Sequence, residues 1–339
     1  MSKDRTVLVT GSAGFIGFHL STALLRDGWT VIGLDCLTDH TDVTLKTDRE
    51  AQLKAQPGFH PVRMRLEEPG GLLDLMALHK PELVVHLAGQ AGVRHSIDFP
   101  RDFLDSNLTG TFELLEAARA HPPRHILMAS SSSAYGSERQ MPFRETMKSD
   151  HQMSFYAATK KATENMAHSY AHLFGLPITM FRFFTVYGPW GRPDMAMFKF
   201  TKAILNGDPI DVYNFGDMRR DFTYIDDLIR AITLLTGVVP PMPGSGTAVA
   251  QDSLSPVAPF RMVNIGNSAP VPLLEFIEAI EHATGKIAQK NMMPMQPGDV
   301  PATWADAQLL RALTGYEPQT GVRAGVQAFV DWYRGYYRV

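Results

Sequence analysis

Short apolar runs alternate with helical patterns along the first half of the chain. Runs rich in β-branched residues predict strands at 6–10, 30–34, 83–87, 125–129 and 178–184. Amphipathic patterns predict helices at 15–26, 106–120 and 155–174. Repeated strand–helix units of this kind bury a parallel sheet between two layers of helices, with right-handed crossovers. The first half therefore predicts an α/β fold with a doubly wound parallel sheet.

The rhythm changes after residue 184, where glycine and proline become frequent. We expect residues 1–184 to form the larger domain, with crossing segments near 226–237 and 261–267 returning to it. Residues 185–225 and 268–339 are expected to form a smaller C-terminal α/β domain. Residues 238–259 are rich in Pro, Gly, Ser and Ala and predict a flexible loop, whose plainest interpretation is a spacer without function.

Composition and charge narrow the class of protein. The 339 residues carry a net charge of −3, so no basic field favours nucleic acid. The single cysteine, Cys36, excludes an intrachain disulfide and fits a reducing, cytoplasmic setting. The first ten residues show no secretory pattern, and no apolar run reaches the roughly 18 residues of a membrane span. We therefore expect a cytoplasmic protein without a membrane or nucleic-acid partner.

A glycine-rich turn joins the first predicted strand to the first predicted helix. Its glycines, in the order GxxGxxG, allow a backbone to approach a pyrophosphate closely, and the helix N-terminus favours the anion. Asp35 ends the second strand, where a carboxylate suits the ribose 2′-hydroxyl of NAD and repels the 2′-phosphate of NADP. No Arg or Lys adjoins Asp35 in the sequence. The turn predicts an NAD site at Gly11, Gly14, Phe15, Ile16, Gly17 and Asp35.

A second group of residues has the chemistry of proton transfer. Tyr156 and Lys160 are four residues apart on a predicted helix, so they share one face. A nearby ammonium favours the phenolate form of tyrosine. A run of serines, 130–133, follows a strand at the edge where parallel sheets place reactive groups. His168 and His172 have helical spacing but no third ligand, so no metal site is predicted.

These stretches together resemble the extended short-chain dehydrogenases, and among them the nucleotide-sugar epimerases. The similarity runs from about residue 7 to residue 336 and is closest to the UDP-glucuronate 4-epimerases. It is carried by TGSAGFIG (10–17), HLAGQAGVRHS (86–96), SNLTGT (106–111), SSSSAYG (130–136), YAATK (156–160), RFFTVYGPWGRPDM (182–195), GDMRRDFTYIDD (216–227) and QPGDVPATWAD (296–306). The resemblance implies a Rossmann-like fold with a smaller substrate-binding domain.

The resemblance also implies roles for individual residues. Tyr156 is expected to be the base, Lys160 its electrostatic partner and Ser131 the catalytic hydroxyl. Leu87, Ala88 and Asn107 are expected to support NAD, while Arg220 contacts the substrate diphosphate and Asp299 lies near the nucleotide ribose. One position departs from the family: the third strand usually ends in an acid that contacts adenine, whereas this chain has Arg65.

The reaction implied is inversion at C4 of a UDP-hexuronate through a 4-keto intermediate, with transient hydride transfer to bound NAD. Thr185, Ser132 and Ser133 can donate hydrogen bonds to the sugar carboxylate, and Arg192 can add charge. Dehydratases and decarboxylases of the superfamily place acids where this chain has Ser132 and Ser133. The alternatives are UDP-glucuronate decarboxylation, epimerisation of neutral UDP-hexoses, and a non-enzymatic NAD-binding regulator. A regulator of this kind would be expected to lack one or more residues of the Ser/Tyr/Lys set.

Assembly is expected only by analogy. Helices 106–120 and 155–174 resemble those that pair into a four-helix dimer interface in this family, so we expect a homodimer. Met166 and Phe174 belong either to that interface or to the core.

Overall fold

A computed structural model describes residues 5–40, 42–246, 248–296 and 300–339. The strands are β1 Thr6–Thr10, β2 Thr30–Leu34, β3 Phe59–Val62, β4 Leu83–His86, β5 His125–Ala129, β6 Ile178–Phe183, β7 Thr185–Tyr187, β8 Ile210–Val212, β9 Arg219–Tyr224, β10 Phe260–Ile265, β11 Pro270–Pro272, β12 Lys290–Met292 and β13 Ala302–Thr303. The helices are α1 Phe15–Arg26, α2 Val43–Lys54, α3 Gly71–His79, α4 His95–Asp98, α5 Pro100–Phe103, α6 Gly110–Ala120, α7 Phe155–Phe174, α8 Ala196–Asn206, α9 Ile225–Leu235, α10 Leu273–Thr284, α11 Gln308–Thr314 and α12 Val322–Tyr337. Short 3₁₀ turns occupy Ser132–Tyr135 and Tyr213–Gly216.

Seven parallel strands form the main sheet, in the order β10-β6-β5-β4-β1-β2-β3. Strand β1 lies inside the sheet and pairs with β2 on one side and β4 on the other, with Val7 opposite Val31 and Leu83. The order reverses beside β1, and such a switch point opens a crevice at the carboxyl ends of the strands. The predicted doubly wound parallel sheet is confirmed.

The sheet is buried on both faces by separate apolar clusters. One cluster packs α1 and α9 against the sheet through residues such as Leu20, Leu24 and Ile232. The other packs α3, α6 and α7 and includes Ala118 and Ala171. Both clusters consist of residues with little or no exposed surface, so the helices are closely packed against the sheet.

The element bounds agree with the sequence except at a few ends. The strands at 83–87 and 178–184 each end one residue earlier than predicted. The predicted helix 106–120 divides into a π-helical stretch, Leu104–Thr109, followed by α6. Such π-bulges are rare and occur often at functional sites.

The region after residue 184 forms a smaller unit around its own aromatic cluster. Strand β9 pairs with β7, β11 and β13, while β8 pairs with β12. Phe222 stacks on Phe276 of α10 with ring centroids 4.0 Å apart, and Phe329 of α12 completes this core. Helix α9 packs against the main sheet, and strand β10 pairs with β6 at its edge.

One segment differs from the expected division. Helix α11 falls within 268–339, yet Leu309 and Leu310 pack into the same cluster as α1 and α9. The chain therefore returns to the larger unit once more than the sequence predicts. No helix in the described ranges is both long and apolar enough to cross a membrane.

Residues 238–259 contain no helix or strand in their described part, but they are tied to the body of the protein. Asp252 forms a buried ion pair with Arg261, at 2.9 Å from Nε. His168 Nε2 lies 2.9 Å from Ser255 Oγ, and His172 Nδ1 lies 2.7 Å from the Val257 carbonyl oxygen. Residues 252–257 thus make more contacts than a free spacer does, and the two helical histidines are their docking points.

Candidate active site

The glycine-rich turn lies at the mouth of a cavity of about 650 Å³ at the carboxyl ends of the strands. Gly11 has φ +74°, and a Cβ there would come within 2.8 Å of the Ala88 backbone nitrogen. A Cβ on Gly17 would lie 2.0 Å from the Gly11 carbonyl oxygen. Only glycine fits either position, since both contacts are with backbone. No side chain caps α1, so its first amide groups remain available to a phosphate.

Asp35 lines this cavity and also fastens the loops around it. Its Oδ2 accepts a hydrogen bond from the Ala13 amide at 3.1 Å, and Oδ1 accepts one from the Leu37 amide at 2.8 Å. Phe15, Ile16 and Leu87 lie on the same cavity wall. The Asp35 carboxylate is therefore held in place by the glycine-rich turn and by the loop that follows β2.

The surroundings of Asp35 are more basic than the sequence indicates. Lys46 and Arg49 of α2 both line the cavity and interact electrostatically with Asp35. The expectation that no Lys or Arg lies beside Asp35 holds along the chain but is wrong in space. Lys46 donates to the Thr38 carbonyl and hydroxyl oxygens, while buried Arg49 donates to the carbonyl oxygens of Ala13 and Trp190. These bonds occupy the two cations with the protein's own oxygens.

Tyr156, Lys160 and Ser131 come together where this cavity ends. The Tyr156 phenol lies near the Ser131 hydroxyl, and both residues line the cavity. Lys160 donates from Nζ to the Ala129 carbonyl oxygen at 3.0 Å. Ser131 begins the 3₁₀ turn and accepts a hydrogen bond from the Ser133 amide, which fixes its side chain. The predicted Ser/Tyr/Lys set is thus assembled in space.

Burial tunes both titrating groups of this set. It raises the pKa of Tyr156, although the Ser131 hydrogen bond and the charge of Arg192 act in the opposite direction. It lowers the pKa of Lys160 to about 8, against the opposing charge of Glu164. Lys160 therefore retains its charge at neutral pH, while Tyr156 needs further positive charge beside it to become a base.

Asn107 lies behind the cavity wall and does not line it. Its Nδ2 donates to the Gln90 carbonyl and to Thr159 Oγ1, at 3.1 and 3.0 Å, and its Oδ1 accepts from the Gln90 amide at 2.7 Å. The π-helical stretch turns this fully engaged side chain inward. Asn107 therefore positions the wall at Gln90 and the helix that carries Tyr156, through Thr159.

A second cavity, of about 310 Å³, adjoins the first and shares Ser131, Tyr156 and Arg192 with it. Its lining includes Ser132, Ser133, Thr185 and Arg220. Arg192 donates to both carboxylate oxygens of Asp194 and to the Ala91 carbonyl oxygen. Arg220 donates to the carbonyl oxygens of Arg219 and Pro301.

Two acidic residues bear on the argument that serines at 132 and 133 leave the site without a carboxyl group. Glu138 and Asp194 both line the second cavity, although positions 132 and 133 hold serine. Glu138 accepts hydrogen bonds from the Arg139 and Gln140 backbone amides, while Asp194 is paired with Arg192. The two amide hydrogen bonds lower the pKa of Glu138. Burial raises the pKa of Asp194, but the charge and hydrogen bonds of Arg192 outweigh it and lower that pKa, so neither carboxylate is poised as a proton donor.

Some predicted features fall elsewhere. Asp299 lies outside the described residues. Within the described ranges, no group of three or more His, Cys, Asp or Glu is arranged to hold a metal ion. The sequence argument missed Glu164, whose buried carboxylate accepts hydrogen bonds from Ser130 and Arg182 behind Ser131. A charged residue on the apolar face of a helix was the available signal.

The chain matches the family model described as "NAD dependent epimerase/dehydratase family" over residues 7–239. It belongs to this family. A "Probable UDP-glucuronate 4-epimerase" of Rhizobium meliloti (strain 1021) is 52% identical over 98% of this chain and 97% of that protein. UDP-glucuronate 4-epimerase 4 of Arabidopsis thaliana is 43% identical over 98% of this chain and 76% of that protein.

Solved structures agree with these relatives. The UDP-glucuronic acid 4-epimerase of Bacillus cereus, in complex with UDP-glucuronic acid and NAD, superposes with a TM-score of 0.87. It is 33% identical and covers 98% of this chain and 100% of that one. The Rossmann-like fold and the NAD cofactor predicted from the sequence are confirmed, and the glycine turn, the uncapped helix and Asp35 fit that cofactor.

Proposed function

We propose that this enzyme interconverts UDP-glucuronate and UDP-galacturonate by inverting C4. The observation that carries the proposal is the position of Ser131 and Tyr156, which line both the dinucleotide cavity and a second cavity lined by serine, threonine and arginine. A sugar in the second cavity presents its ring to both the phenol and the cofactor. The relatives that act on UDP-glucuronate support the choice of sugar.

The chain's own residues manage the proton of the reaction. Tyr156 accepts the proton of the C4 hydroxyl as the C4–H bond breaks, and Ser131 holds the reacting oxygen through its hydroxyl. Lys160 stabilises the phenolate electrostatically. NAD, when bound, takes up the C4 hydride and returns it. After the 4-keto sugar has turned, Tyr156 gives the proton back to the C4 oxygen, so no net oxidation occurs.

The uronate carboxylate must be restrained during this step. The 4-keto intermediate is a β-keto acid, which loses carbon dioxide fastest when the carboxylate bond stands perpendicular to the carbonyl plane. Ser132, Ser133 and Thr185 supply hydroxyl donors around the second cavity, and Arg192 supplies charge. We propose that these groups hold the carboxylate near that plane and so prevent decarboxylation. Arg220 is assigned to the diphosphate and Asp299 to the nucleotide ribose.

The test is to incubate the purified protein with UDP-glucuronate in D₂O, without added NAD, and to follow the products by proton NMR. We expect UDP-galacturonate to form with no loss of carbon dioxide. Because the hydride that leaves C4 returns to C4, neither C4 nor C5 should acquire deuterium. Turnover without added NAD would show that the cofactor stays bound through purification.

Other outcomes point to other reactions. UDP-xylose or a 4-ketopentose would replace the proposal with decarboxylation, and a C5-inverted product that carries deuterium at C5 would replace C4 inversion with C5 inversion. No turnover of UDP-glucuronate even with added NAD, but turnover of UDP-glucose, would assign a neutral sugar. Absence of turnover on every UDP-sugar would leave a protein that only binds NAD.

We also propose that the enzyme is a cytoplasmic homodimer. Phe112 of α6 is 45% exposed and Leu173 of α7 is 67% exposed, and both helices lie side by side on one face. Met166 packs against the core, whereas Phe174 is 38% exposed beneath Arg119. Light scattering should give twice the chain mass, and replacing both Phe112 and Leu173 by Glu should give the single mass.

A further inference from the structure

The dinucleotide cavity extends beyond Asp35 to the outer strand β3. The segment after β3 contributes Met64, Arg65, Leu66 and Glu67 to its wall. Since Asp35 directly follows β2 and is expected at the ribose, the base attached to that ribose lies on the side of β2 where β3 is found. Residues 64–67 are therefore the wall that adenine meets.

The conformation of this wall is held from behind. Leu66 is 5% exposed and belongs to the core cluster beneath the sheet. The Glu68 amide donates to the Arg65 carbonyl oxygen at 3.4 Å, which closes a turn over the three residues. Leu66 thereby anchors the turn while Arg65 and Glu67 remain at the cavity.

The two charged residues of the turn are bound to each other. Arg65 donates from Nε to Glu67 Oε1 at 2.6 Å. The Arg65 side chain is 64% exposed, whereas that of Glu67 is only 20% exposed. Glu67 Oε2 accepts no hydrogen bond in the part of the chain that the structure describes. One carboxylate oxygen is thus fixed by the guanidinium, and the other remains for a second donor.

Hydrogen-bonding capacity decides which of the two residues can recognise adenine. The exocyclic amine of adenine is a donor. A guanidinium is donor-only, so Arg65 cannot accept from that amine. An ionised carboxylate is acceptor-only and has two oxygens, so Glu67 can accept from Arg65 and from adenine at once.

We propose that Glu67 accepts a hydrogen bond from the exocyclic amine of the adenine of NAD, and that Arg65 is the positioning residue that orients its carboxylate. The pair carries out at residues 65 and 67 what a single acid after the third strand would do. The inference concerns the cofactor alone and does not depend on which sugar the enzyme converts.

The test is a competition between NAD and nicotinamide hypoxanthine dinucleotide, in which a carbonyl oxygen replaces the exocyclic amine. Full-length protein is incubated with a large equimolar excess of both, without any UDP-sugar, until the bound mixture no longer changes. The bound dinucleotides are then released and quantified by chromatography. Wild type should retain NAD over the analogue by about tenfold or more, because the carboxylate faces an acceptor in the analogue.

Glu67→Gln should reduce this preference to roughly twofold or less, since the amide can donate to the hypoxanthine carbonyl. Glu67→Asp keeps the charge on a shorter side chain and should retain part of the preference. Glu68→Gln is the matched control, because Glu68 is the exposed neighbouring carboxylate and lies outside the cavity wall. It should leave the wild-type ratio unchanged.

Arg65→Met should lower the preference by releasing Glu67, and Arg65→Lys should restore part of it; a purely structural role for Arg65 would not move this ratio. A wild-type ratio near one, or an unchanged ratio in Glu67→Gln, would overturn the proposal. So would loss of the preference in Asp105→Asn instead, because Asp105 is another carboxylate at this end of the cavity. Failure to convert UDP-glucuronate would leave these ratios untouched.

Discussion

The cleft formed by the two cavities has two walls. One, here called the sheet wall, consists of Ser131, Tyr156 and Lys160. The other, here called the loop wall, consists of Thr185, Arg192 and Arg220. Tyr156 and Lys160 are 9% and 8% exposed and make their hydrogen bonds to β5 and the turn after it. Arg192 and Arg220 lie on loops and a strand of the smaller unit and contact mainly carbonyl oxygens and Asp194. One wall is buried and fixed by the main sheet, and the other is open.

The difference separates chemistry from recognition. Groups that transfer a proton gain from exclusion of water and from fixed geometry, since their electrostatic effects are larger there. Groups that bind a large charged substrate must admit it, and the planar guanidinium of arginine suits anionic oxygens. Changes on the sheet wall are therefore expected to lower kcat, and changes on the loop wall are expected to raise KM.

Tyr156→Phe gives the largest expected effect. Removing the phenol hydroxyl leaves no group to exchange the proton of the C4 hydroxyl, so kcat should fall by roughly 10³-fold. KM and the amount of bound NAD should change little, since the ring remains packed against Phe103. The measurement is turnover of UDP-glucuronate by NMR, together with the NAD content of the purified protein.

Tyr170→Phe is its matched control. Tyr170 lies on the same helix, and its hydroxyl is bonded to Glu116, away from the cleft. It should retain full turnover. If both variants were equally impaired, the helix and not the phenol of Tyr156 would be responsible, and the contrast between the walls would lose its basis.

The glycine-rich turn, Asp35 and the sheet wall could be predicted from the sequence because the residues that define them are close together along the chain. The glycines at 11, 14 and 17 follow a strand, Asp35 ends the next one, and Tyr156 and Lys160 are one helical turn apart. Strand periodicity and helix periodicity then assign these residues to the carboxyl edge of a parallel sheet. The exact bounds of β1, β2 and α7 followed from the same patterns.

The remaining features depend on contacts between distant residues. Arg49 reaches the Trp190 carbonyl oxygen, 141 positions away, and α11 returns to the main sheet. His168 contacts Ser255, 87 positions away, and Ser255 belongs to the segment whose composition indicates a free loop. The periodicity of the sequence does not predict such pairs, because each of these side chains is equally compatible with exposure to solvent. The π-helical turn at Asn107 is equally silent, since its sequence continues a helical pattern.

Arg192→Met tests the loop wall. We expect KM for UDP-glucuronate to rise about tenfold, as for the loss of one charge-assisted hydrogen bond, with kcat within about threefold of wild type. The preference for UDP-glucuronate over UDP-glucose should fall by a similar factor, because the neutral sugar makes no use of the charge. Steady-state kinetics on both substrates measure this.

Arg323→Met provides the comparison for that variant. Arg323 is exposed on α12 and lies outside both cavities, so the kinetic constants should match wild type. A fall in kcat with constant KM for Arg192→Met would place Arg192 functionally with the sheet wall. Its electrostatic effect on Tyr156 would then outweigh its contact with the sugar.

The smallest expected effect is on the pH dependence of stability and concerns Glu145. This residue tests whether a buried group near the sheet affects catalysis without lining a cavity. Burial raises the pKa of this carboxyl from 4.5 to about 7, against hydrogen bonds from backbone amides including that of Asn264. Nearby Asp306 raises the pKa further and Arg182 lowers it. The native state therefore holds the proton more tightly than the unfolded chain, and this contribution to stability is complete below about pH 4.5 and lost as pH rises through 7.

Glu145→Gln removes this dependence while preserving an oxygen for the Asn264 amide. Relative to wild type, the variant should gain roughly 2 °C in Tm on going from pH 5 to pH 8, measured by thermal unfolding. Exposed Glu278→Gln should show no such gain. Turnover at pH 7 should be unchanged, because Glu145 lines neither cavity. A loss of turnover would mean that burial near the sheet matters to catalysis in itself; an unchanged rate would mean that the sheet wall acts through contact with the reacting sugar.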